Sequence, residues 1–366
     1  MKSDAAFNLS TTVRGSAVMQ RLHPLDQRKQ QILKAVVDEY VSTAEPVGSH
    51  LIAGRHQLGV RSATIRNEMA ELSEMGYLRQ PHTSAGRIPS DLGYRFYVDR
   101  LMESAVLPYD EAQRARRLLA LRTAEIELLL EHTCRILADL ARYTSLASQP
   151  KVKEAQVKHV SVVRVGRRKV LAVVVLDNGR VIHEIFDVAE GLESLDPVRA
   201  TNYLTAKLGG CDVSSLSAER IECDPEAPAN VVALAKQIIQ LVLHQAEAEE
   251  EVDIHFSGTS YMMQQPEFKN PERLEAVLSI LDQRRSLYKL FSSVMGPEVT
   301  VLIGRENPVE EMAECSFVGA KYRIGGRIAG TVGVMGPTRM DYRRAVSAVE
   351  SVARNLEMLL DGLSGL

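Results

Sequence analysis

The spacing of apolar residues between residues 24 and 90 is the feature that most limits how this chain can fold. Apolar positions recur three and four residues apart, as on one helix face, over residues 24–46, 48–55 and 62–76. Asp26 lies near the start of the first helix, and Ser62 is a suitable N-cap for the third. Tyr77-Leu78-Arg79 then predicts a short strand, and a turn-rich loop leads to a returning strand at Ile88. Three helices followed by strand, loop and strand are typical of a winged helix-turn-helix.

The rest of the chain alternates between helical and strand patterns. A long helical pattern over residues 109–146 precedes β-branched runs at 160–165 and 170–176, and Asp177-Asn178-Gly179-Arg180 predicts a hairpin turn into residues 181–188. Helical patterns occupy residues 190–290, strands return at 299–303, 316–324 and 327–335, and a final helix follows. Strands on both sides of a helical block favour one α+β domain with a helical insertion. Two separate α+β domains would produce a similar pattern.

Composition and charge exclude several classes of protein. The 366 residues carry 44 Lys and Arg against 47 Asp and Glu, so the chain as a whole is not strongly basic. The charge is uneven, because residues 1–103 hold 13 basic against 11 acidic residues and the remainder holds 31 against 36. A weakly basic N-terminal module therefore precedes an acidic body. No apolar run approaches the roughly 20 residues that span a bilayer, and no signal peptide is apparent, so we expect a cytoplasmic protein without membrane contact.

The sequence offers little support for enzymatic chemistry. The four cysteines lie far apart with no metal-ligand spacing, so we expect free, reduced and mostly buried thiols. The glycine-rich stretch Gly325–Gly336 has neither the dinucleotide-binding spacing nor the lysine of a P-loop, and a hairpin turn with close strand packing explains it better. We expect no catalytic residues, no metal and no cofactor.

The third predicted helix has a face suited to DNA bases. With Ile65 directed inward, the outward positions are Ala63, Arg66, Asn67 and Ala70, with Thr64 on the flank. Small alanines permit close approach, Arg pairs with guanine, and Asn pairs with adenine in the major groove. The acidic residues fall in the later half of the helix, so its N-terminal half would enter the groove. The alternative is an ordinary amphipathic helix with a solvated polar face.

The loop after the first short strand supplies further candidate DNA contacts. Small hydroxyl side chains and backbone N–H groups can hold phosphates, and an arginine at a wing tip can reach a minor groove. The alternative is a plain surface hairpin. The predicted DNA-binding residues are Arg61, Ser62, Ala63, Thr64, Arg66, Asn67, Arg79, His82, Thr83, Ser84, Gly86 and Arg87. Tyr94, Phe96 and Tyr97 are expected to pack this module against its neighbour.

Six motifs in order along the chain resemble the HrcA family of bacterial heat-inducible transcription repressors. They are Leu25-Asp26-Gln27-Arg28, Glu45-Pro46-Val47-Gly48-Ser49, residues 62–69, residues 82–90, residues 93–99 and residues 333–342. The run from Thr83 to Asp99 is highly specific, whereas residues 190–290 match more loosely. The motif Thr338-Arg339-Met340-Asp341-Tyr342 is distinctive, and we assign it no role beyond the favourable position of Asp341 at a helix start.

The resemblance implies an α+β protein of three domains. These are a winged helix-turn-helix at 23–103, a GAF-like domain with a long linker helix at 104–189 and 292–366, and a mainly helical dimerisation domain inserted at 190–291. Residues 1–22 would form a flexible tail, in which Met19 is a second candidate start. By this resemblance Thr64, Arg66 and Asn67 face the bases, Ser84, Gly86 and Arg87 form the wing, and residues 325–336 belong to the GAF-like sheet.

The resemblance also implies the partners. Such proteins bind, as homodimers, a double-stranded DNA inverted repeat called CIRCE upstream of chaperone operons, and repress transcription there. The chaperonin GroEL keeps the repressor active. Apolar helices between residues 190 and 290 are the expected self-association surface. The alternative function is a metabolite-sensing winged-helix regulator with a ligand in the GAF-like domain.

Overall fold

The computed structural model describes residues 24–56, 58–82, 85–103, 111, 126–166, 168–187, 196–217, 228–248, 254–296 and 298–364. The predicted tail, most of the first half of the predicted helix at 109–146, and the wing residues Thr83 and Ser84 lie outside these ranges. The architecture is α+β, as the sequence predicts. Within the described ranges, no helix is both long and apolar enough to cross a membrane.

The N-terminal unit, residues 24–101, contains the three helices and two short strands predicted for it, followed by a helix that was not predicted. The predicted elements are α1 (Gln27–Thr43), α2 (Ser49–Arg55), α3 (Ser62–Glu74), β1 (Leu78–Arg79) and β2 (Ile88–Pro89). The additional helix α4 (Asp91–Phe96) continues as a π-helical turn through Leu101. The side chain of Asp26 accepts the backbone N–H of Lys29 at 2.8 Å and caps α1. The two short strands pair antiparallel, with Leu78 opposite Pro89. Ile32, Leu33 and Ile65 are fully buried, so the predicted apolar faces form the core of this unit.

A five-stranded antiparallel sheet, the main sheet, forms the centre of the remaining chain. Its strands are β3 (Thr144–Ser148), β7 (Ile254–Ser257), β8 (Thr300–Ile303), β9 (Cys315–Ile324) and β10 (Arg327–Pro337), in the order β7-β3-β10-β9-β8. Helices α5 (Ile126–Ala141) and α11 (Tyr342–Ser364) cover one face. The other face packs against α9 (Pro271–Asp282) and α10 (Arg284–Ser292). The short helix α8 (Thr259–Met263) follows β7.

Two strands of the main sheet were not predicted. The helical pattern expected to reach residue 146 ends with α5 at Ala141, Arg142 takes a left-handed φ of 62°, and β3 follows. All five residues of β3 are buried, so the strand lacks the alternation by which a half-exposed strand is recognised. Strand β7 is a four-residue interruption of the helical region predicted at 190–290. It pairs with β3, from which it is more than 100 residues distant.

A second antiparallel sheet, the small sheet, lies in the segment between β3 and β7. It consists of β4 (Val157–Gly166), β5 (Lys169–Leu176) and β6 (Val181–Asp187). The predicted hairpin turn joins β5 to β6, and β4 pairs antiparallel with the other edge of β5. Helices α6 (Pro197–Leu208) and α7 (Ala229–Ala248) share a core with one face of this sheet.

The two sheets therefore divide the chain differently from the predicted boundaries at 189 and 291. The strands of the small sheet, predicted to belong with the final strands, pack with α6 and α7, whereas β7, α9 and α10 pack with the main sheet. The segment between β3 and β7 is thus a mixed unit rather than a mainly helical one. Hydrophobic periodicity identifies strands but carries no information about which strands pair.

Candidate nucleic-acid interface

Helix α3 presents the polar face expected from its sequence. Ile65 and Leu72 are fully buried, whereas Ala63, Arg66 and Asn67 are exposed. Thr64 and Ala70 are half-buried, so the accessible face is narrower than predicted and centres on the first two turns. A cation and an amide are therefore available side by side on the N-terminal half of an exposed helix.

Two of the three acidic residues of α3, Glu68 and Glu71, form ion pairs with basic side chains of α1. Lys29 Nζ lies 2.8 Å from Glu68 Oε2 and 2.9 Å from Glu71 Oε2. Arg28 adds a longer contact of 3.6 Å to Glu68. The hydrogen bond with Glu68, followed by that with Glu71, raises the pKa of Lys29 above its ordinary value, so this side chain stays charged. These ion pairs fix α3 on α1 and leave positive charge at its exposed N-terminal half.

The start of α3 differs from the prediction in one residue. Arg61, not Ser62, is the N-cap residue, and its side chain makes no capping hydrogen bond. Ser62 is the first helical residue, and its hydroxyl lies 3.0 Å from the hydroxyl of Ser49 on α2. The prediction of Ser62 as the N-cap was wrong because this hydroxyl joins two helices instead of turning back onto its own backbone.

The loop between β1 and β2 carries an exposed arginine and an exposed histidine. Arg79 and His82 are both exposed, and the backbone N–H of Ala85 donates to the carbonyl of His82 at 2.9 Å. The amide of Gln80 donates to the Ala85 carbonyl at 3.0 Å and closes the loop. Thr83 and Ser84 complete the predicted loop site, but their placement lies outside the described residues.

Gly86 stands where the loop meets the chain between α1 and α2. The backbones of Val47 and Arg87 exchange two hydrogen bonds of 2.9 Å, which hold the base of the loop against that segment. A Cβ atom on Gly86 would lie 2.3 Å from the Val47 carbonyl oxygen. Glycine at this position is therefore explained by the close approach of two backbones.

Arg87 lies at the base of the loop and not at its tip. Its Nε donates to the hydroxyl of Ser73 on α3 at 2.9 Å, and the residue is half-buried. The side chain thus links the loop to α3. The family resemblance assigns Arg87 to the wing, and the direction of its side chain depends on tertiary packing that the sequence does not contain.

A buried arginine that was absent from the predicted site connects the N-terminal unit to the main sheet. Arg95, on α4, is 8% exposed, and its guanidinium donates to Glu306 Oε1 at 2.9 Å, to the Val301 carbonyl at 2.6 Å and to Asp99 at 3.1 Å. Tyr94 packs beside Tyr342 with ring centroids 5.8 Å apart, which confirms the predicted packing against the neighbour for this residue. Phe96 instead packs within its own unit against Tyr77, with ring centroids 5.4 Å apart. An arginine inside a run of aromatic residues was the available signal for such a contact.

The described cysteines are free and buried, as expected for Cys134, Cys211 and Cys315. Burial raises the pKa of the Cys134 and Cys315 thiols to about 12. Cys223 lies outside the described residues. Across the part of the chain that the structure describes, no group of three His, Cys, Asp or Glu side chains could hold a metal ion.

Comparison with known proteins gives a consistent result. Residues 127–346 match the family described as HrcA protein C terminal domain. The chain is 40% identical over 342 residues to the Heat-inducible transcription repressor HrcA of Desulforamulus reducens, covering 92% of this chain and 97% of that protein. The protein of the same name from Moorella thermoacetica is 40% identical over 343 residues, covering 93% and 99% respectively. The crystal structure of a hypothetical protein at 2.2 Å resolution shares the fold, with a TM-score of 0.59 and 22% identity over 93% of this chain and 100% of that one.

Proposed function

Because this chain belongs to the HrcA family, whose members named above are heat-inducible transcription repressors, we propose that it represses heat-shock operons by binding operator DNA. The N-terminal unit acts as a winged helix-turn-helix, and α3 is its reading helix. The observation that carries this proposal is the exposed face of α3. Arg66 and Asn67 are exposed on this face, whereas Glu68 and Glu71 form ion pairs with Lys29.

The base contacts follow from the chemistry of that face. Arg66 donates two hydrogen bonds to the O6 and N7 atoms of guanine, and Asn67 pairs with the N6 and N7 atoms of adenine. Ala63 permits close approach, and Arg61, Ser62 and Thr64 lie beside the same groove. Arg79, His82, Thr83 and Ser84 contact the phosphate backbone or the adjacent minor groove, while Gly86 and Arg87 hold the wing in place.

The operator is the CIRCE inverted repeat, which a symmetric dimer reads with two α3 helices. The small sheet offers the self-association surface, because the face opposite its core exposes apolar side chains on both sides of a row formed by Ser161, Val173 and His183. The pairing of its strands aligns Val163, Leu171 and Ile185 in one row, with Val175 and Val181 in a parallel row. Val163 is 47% exposed, Val181 53% and Ile185 55%. Two copies joined by this face would bury the apolar surface that each leaves in water.

We propose this face instead of the helices between 190 and 290. Helices α6 and α7 direct residues such as Leu204, Leu234 and Ile238 into the core beneath the small sheet, where they are almost fully buried. Their apolar faces are thus already used within one chain.

The proposed GroEL dependence is supported by the family resemblance, and adding GroEL to the assay below should raise the DNA-binding fraction of the repressor.

The test is fluorescence-anisotropy titration of a labelled CIRCE duplex and a scrambled duplex with wild type, Arg66→Ala and Asn67→Ala. Each substitution should weaken CIRCE binding by about 1–3 kcal/mol and leave scrambled binding nearly unchanged. Arg135→Ala is the matched control, because Arg135 is an exposed arginine on α5, distant in sequence from the proposed interface. Equal losses on both duplexes would show that Arg66 and Asn67 contact the phosphate backbone and not the bases. No loss on either duplex would show that α3 is not the reading helix.

The dimer surface has its own test. Ile185→Glu introduces a charge into the apolar face and should shift the protein towards the monomer in sedimentation equilibrium. Val198→Glu is the control, because Val198 is 68% exposed on α6 and does not belong to that sheet face. An unchanged association constant for Ile185→Glu would reject this face as the dimer interface.

A further inference from the structure

Residues 338–344, which run from the end of β10 into the first turn of α11, contact the C-terminal ends of two other helices. Arg339 Nη1 donates to the carbonyl of Val41, in the last turn of α1, at 2.6 Å. Arg344 donates through Nε to the carbonyl of Leu140, in the last turn of α5. Carbonyl groups in a last helical turn lack partners within their helix, and the dipole there favours a cation. One short segment therefore caps a helix of the N-terminal unit and a helix that covers the main sheet.

Two side chains that follow β7, Glu267 and Gln265, also hold Arg339 in place. Its Nε donates to Glu267 Oε1 at 2.6 Å and its Nη2 to Gln265 Oε1 at 3.1 Å, and the side chain is only 11% exposed. Burial alone would lower the pKa of Arg339, but the hydrogen bond and the charge of Glu267 outweigh it, so the guanidinium remains charged. A planar guanidinium with its donors directed to three acceptors has little freedom to reorient.

The acceptors of Arg339 connect the N-terminal unit with the strand that returns from the small sheet. Gln265 and Glu267 lie in the turn region that follows β7. The path from the segment bearing the proposed dimer face therefore runs through β7 and Glu267 to Arg339 and then to Val41 on α1. A second contact supports it, because Arg343 donates to the hydroxyl of Tyr97 at 3.3 Å.

We propose that Arg339 is a positioning residue for DNA recognition, which sets the orientation of the N-terminal unit on the body and thereby the separation of the two reading helices in the dimer. This inference rests on the proposed function. A dimer reads two half-sites whose spacing is a geometric property of the protein. A fixed N-terminal unit selects one spacing, whereas a unit released from Arg339 accepts several.

The experiment measures the affinity of full-length wild type and Arg339→Met for a series of inverted-repeat duplexes that differ only in the spacer between half-sites. A duplex with a single half-site is titrated in parallel. Wild type should prefer one spacer length by about tenfold or more, which corresponds to about 1.4 kcal/mol. Arg339→Met should lose at least about threefold of that preference, while its affinity for the single half-site stays within about twofold of wild type.

The controls separate orientation from general stability. Arg339→Lys should restore part of the preference, since an ammonium can reach the Val41 carbonyl but cannot match the forked contact with Glu267. Arg135→Met, which removes an exposed arginine on α5, should leave the spacer profile unchanged. If Arg339→Met fails to fold by circular dichroism, Glu267→Gln is assayed in its place, because it keeps Arg339 and removes the charge that orients it.

The outcomes distinguish the two proposals. A spacer profile of Arg339→Met identical to wild type would overturn the positioning role, as would an equal loss on the single half-site. Failure of wild type to discriminate any inverted repeat from a scrambled duplex would instead overturn the proposed function itself. A flattened profile with intact half-site binding is the result that the structure predicts.

Discussion

Replacement of Gly86 by alanine should destabilise the N-terminal unit. The added Cβ would lie 2.3 Å from the carbonyl oxygen of Val47, 2.5 Å from its carbonyl carbon and 2.9 Å from the carbonyl carbon of Pro46. All three are backbone atoms, and Val47 is held by its two hydrogen bonds with Arg87. The clash can be relieved only if the loop moves away from the segment between α1 and α2.

The expected cost is that of overpacking a well-packed site, about 1–3 kcal/mol. Gly54→Ala is the matched control, because Gly54 lies in α2 and a Cβ there would meet nothing within 4 Å. Alanine in a helix is favoured over glycine by roughly 0.5–1 kcal/mol, so this variant should be slightly more stable than wild type. The two variants undergo the same chemical change and should differ by about 1.5–4 kcal/mol, of which about 0.5–1 kcal/mol comes from the helical position of Gly54 and the rest from the contact with Val47.

Hydrogen exchange of the full-length chain, followed by mass spectrometry on peptides from α1 and α3, measures this difference where it arises. A loss of 1–3 kcal/mol in opening free energy speeds exchange by about 5- to 150-fold. Peptides from the small sheet should be unaffected, because that sheet has its own core. Unchanged protection of α1 and α3 in Gly86→Ala would refute the reasoning. If Gly86→Ala lost DNA affinity while the hydrogen-exchange protection of α1 and α3 stayed unchanged, Gly86 would instead contact DNA directly.

Three further results are expected. Arg95→Met should lower the unfolding free energy, measured by chemical denaturation, by about 3–5 kcal/mol, since it leaves the Glu306 carboxylate without its cation. A loss below about 1 kcal/mol would show that the contact between Arg95 and Glu306 does not stabilise the fold. Cys134 and Cys315, whose pKa values are raised to about 12, stay protonated at pH 8, so thiol-reactive disulfide reagents should modify them only on unfolding; rapid labelling of native protein would show that these sites open. CIRCE affinity should fall steeply between low and moderate salt as both subunits release counterions, and a flat dependence would argue against phosphate contacts.

Much of the N-terminal unit was predictable because its signals are local. The burial of Ile65 and the exposure of Arg66 and Asn67 follow from helical periodicity alone. The hairpin between β5 and β6 was predictable for the same reason, since the strand residues and the turn at Asn178-Gly179 lie within a few residues of each other.

The roles of other residues at the candidate site depend on contacts that no local pattern contains. Ser62 has the chemistry of an N-cap, yet it bonds to Ser49 because α2 packs beside it. Arg87 has the chemistry of a wing-tip cation, yet it bonds to Ser73 on α3. In both cases residue type indicates which bonds a side chain can make, whereas its neighbours in space decide which bond it does make.

By itself, therefore, the sequence determined most of the helices and strands, the polar face of α3 and the family to which the chain belongs, because periodicity and motifs are properties of neighbouring residues. Only the tertiary structure decided that β3 and β7 join the main sheet, and that β4–β6 form a separate one. It also brought Arg339 to Val41, 298 residues away along the chain. Pairing of distant strands and capping of distant helices depend on the whole chain burying its apolar surface at once, so no segment encodes them alone.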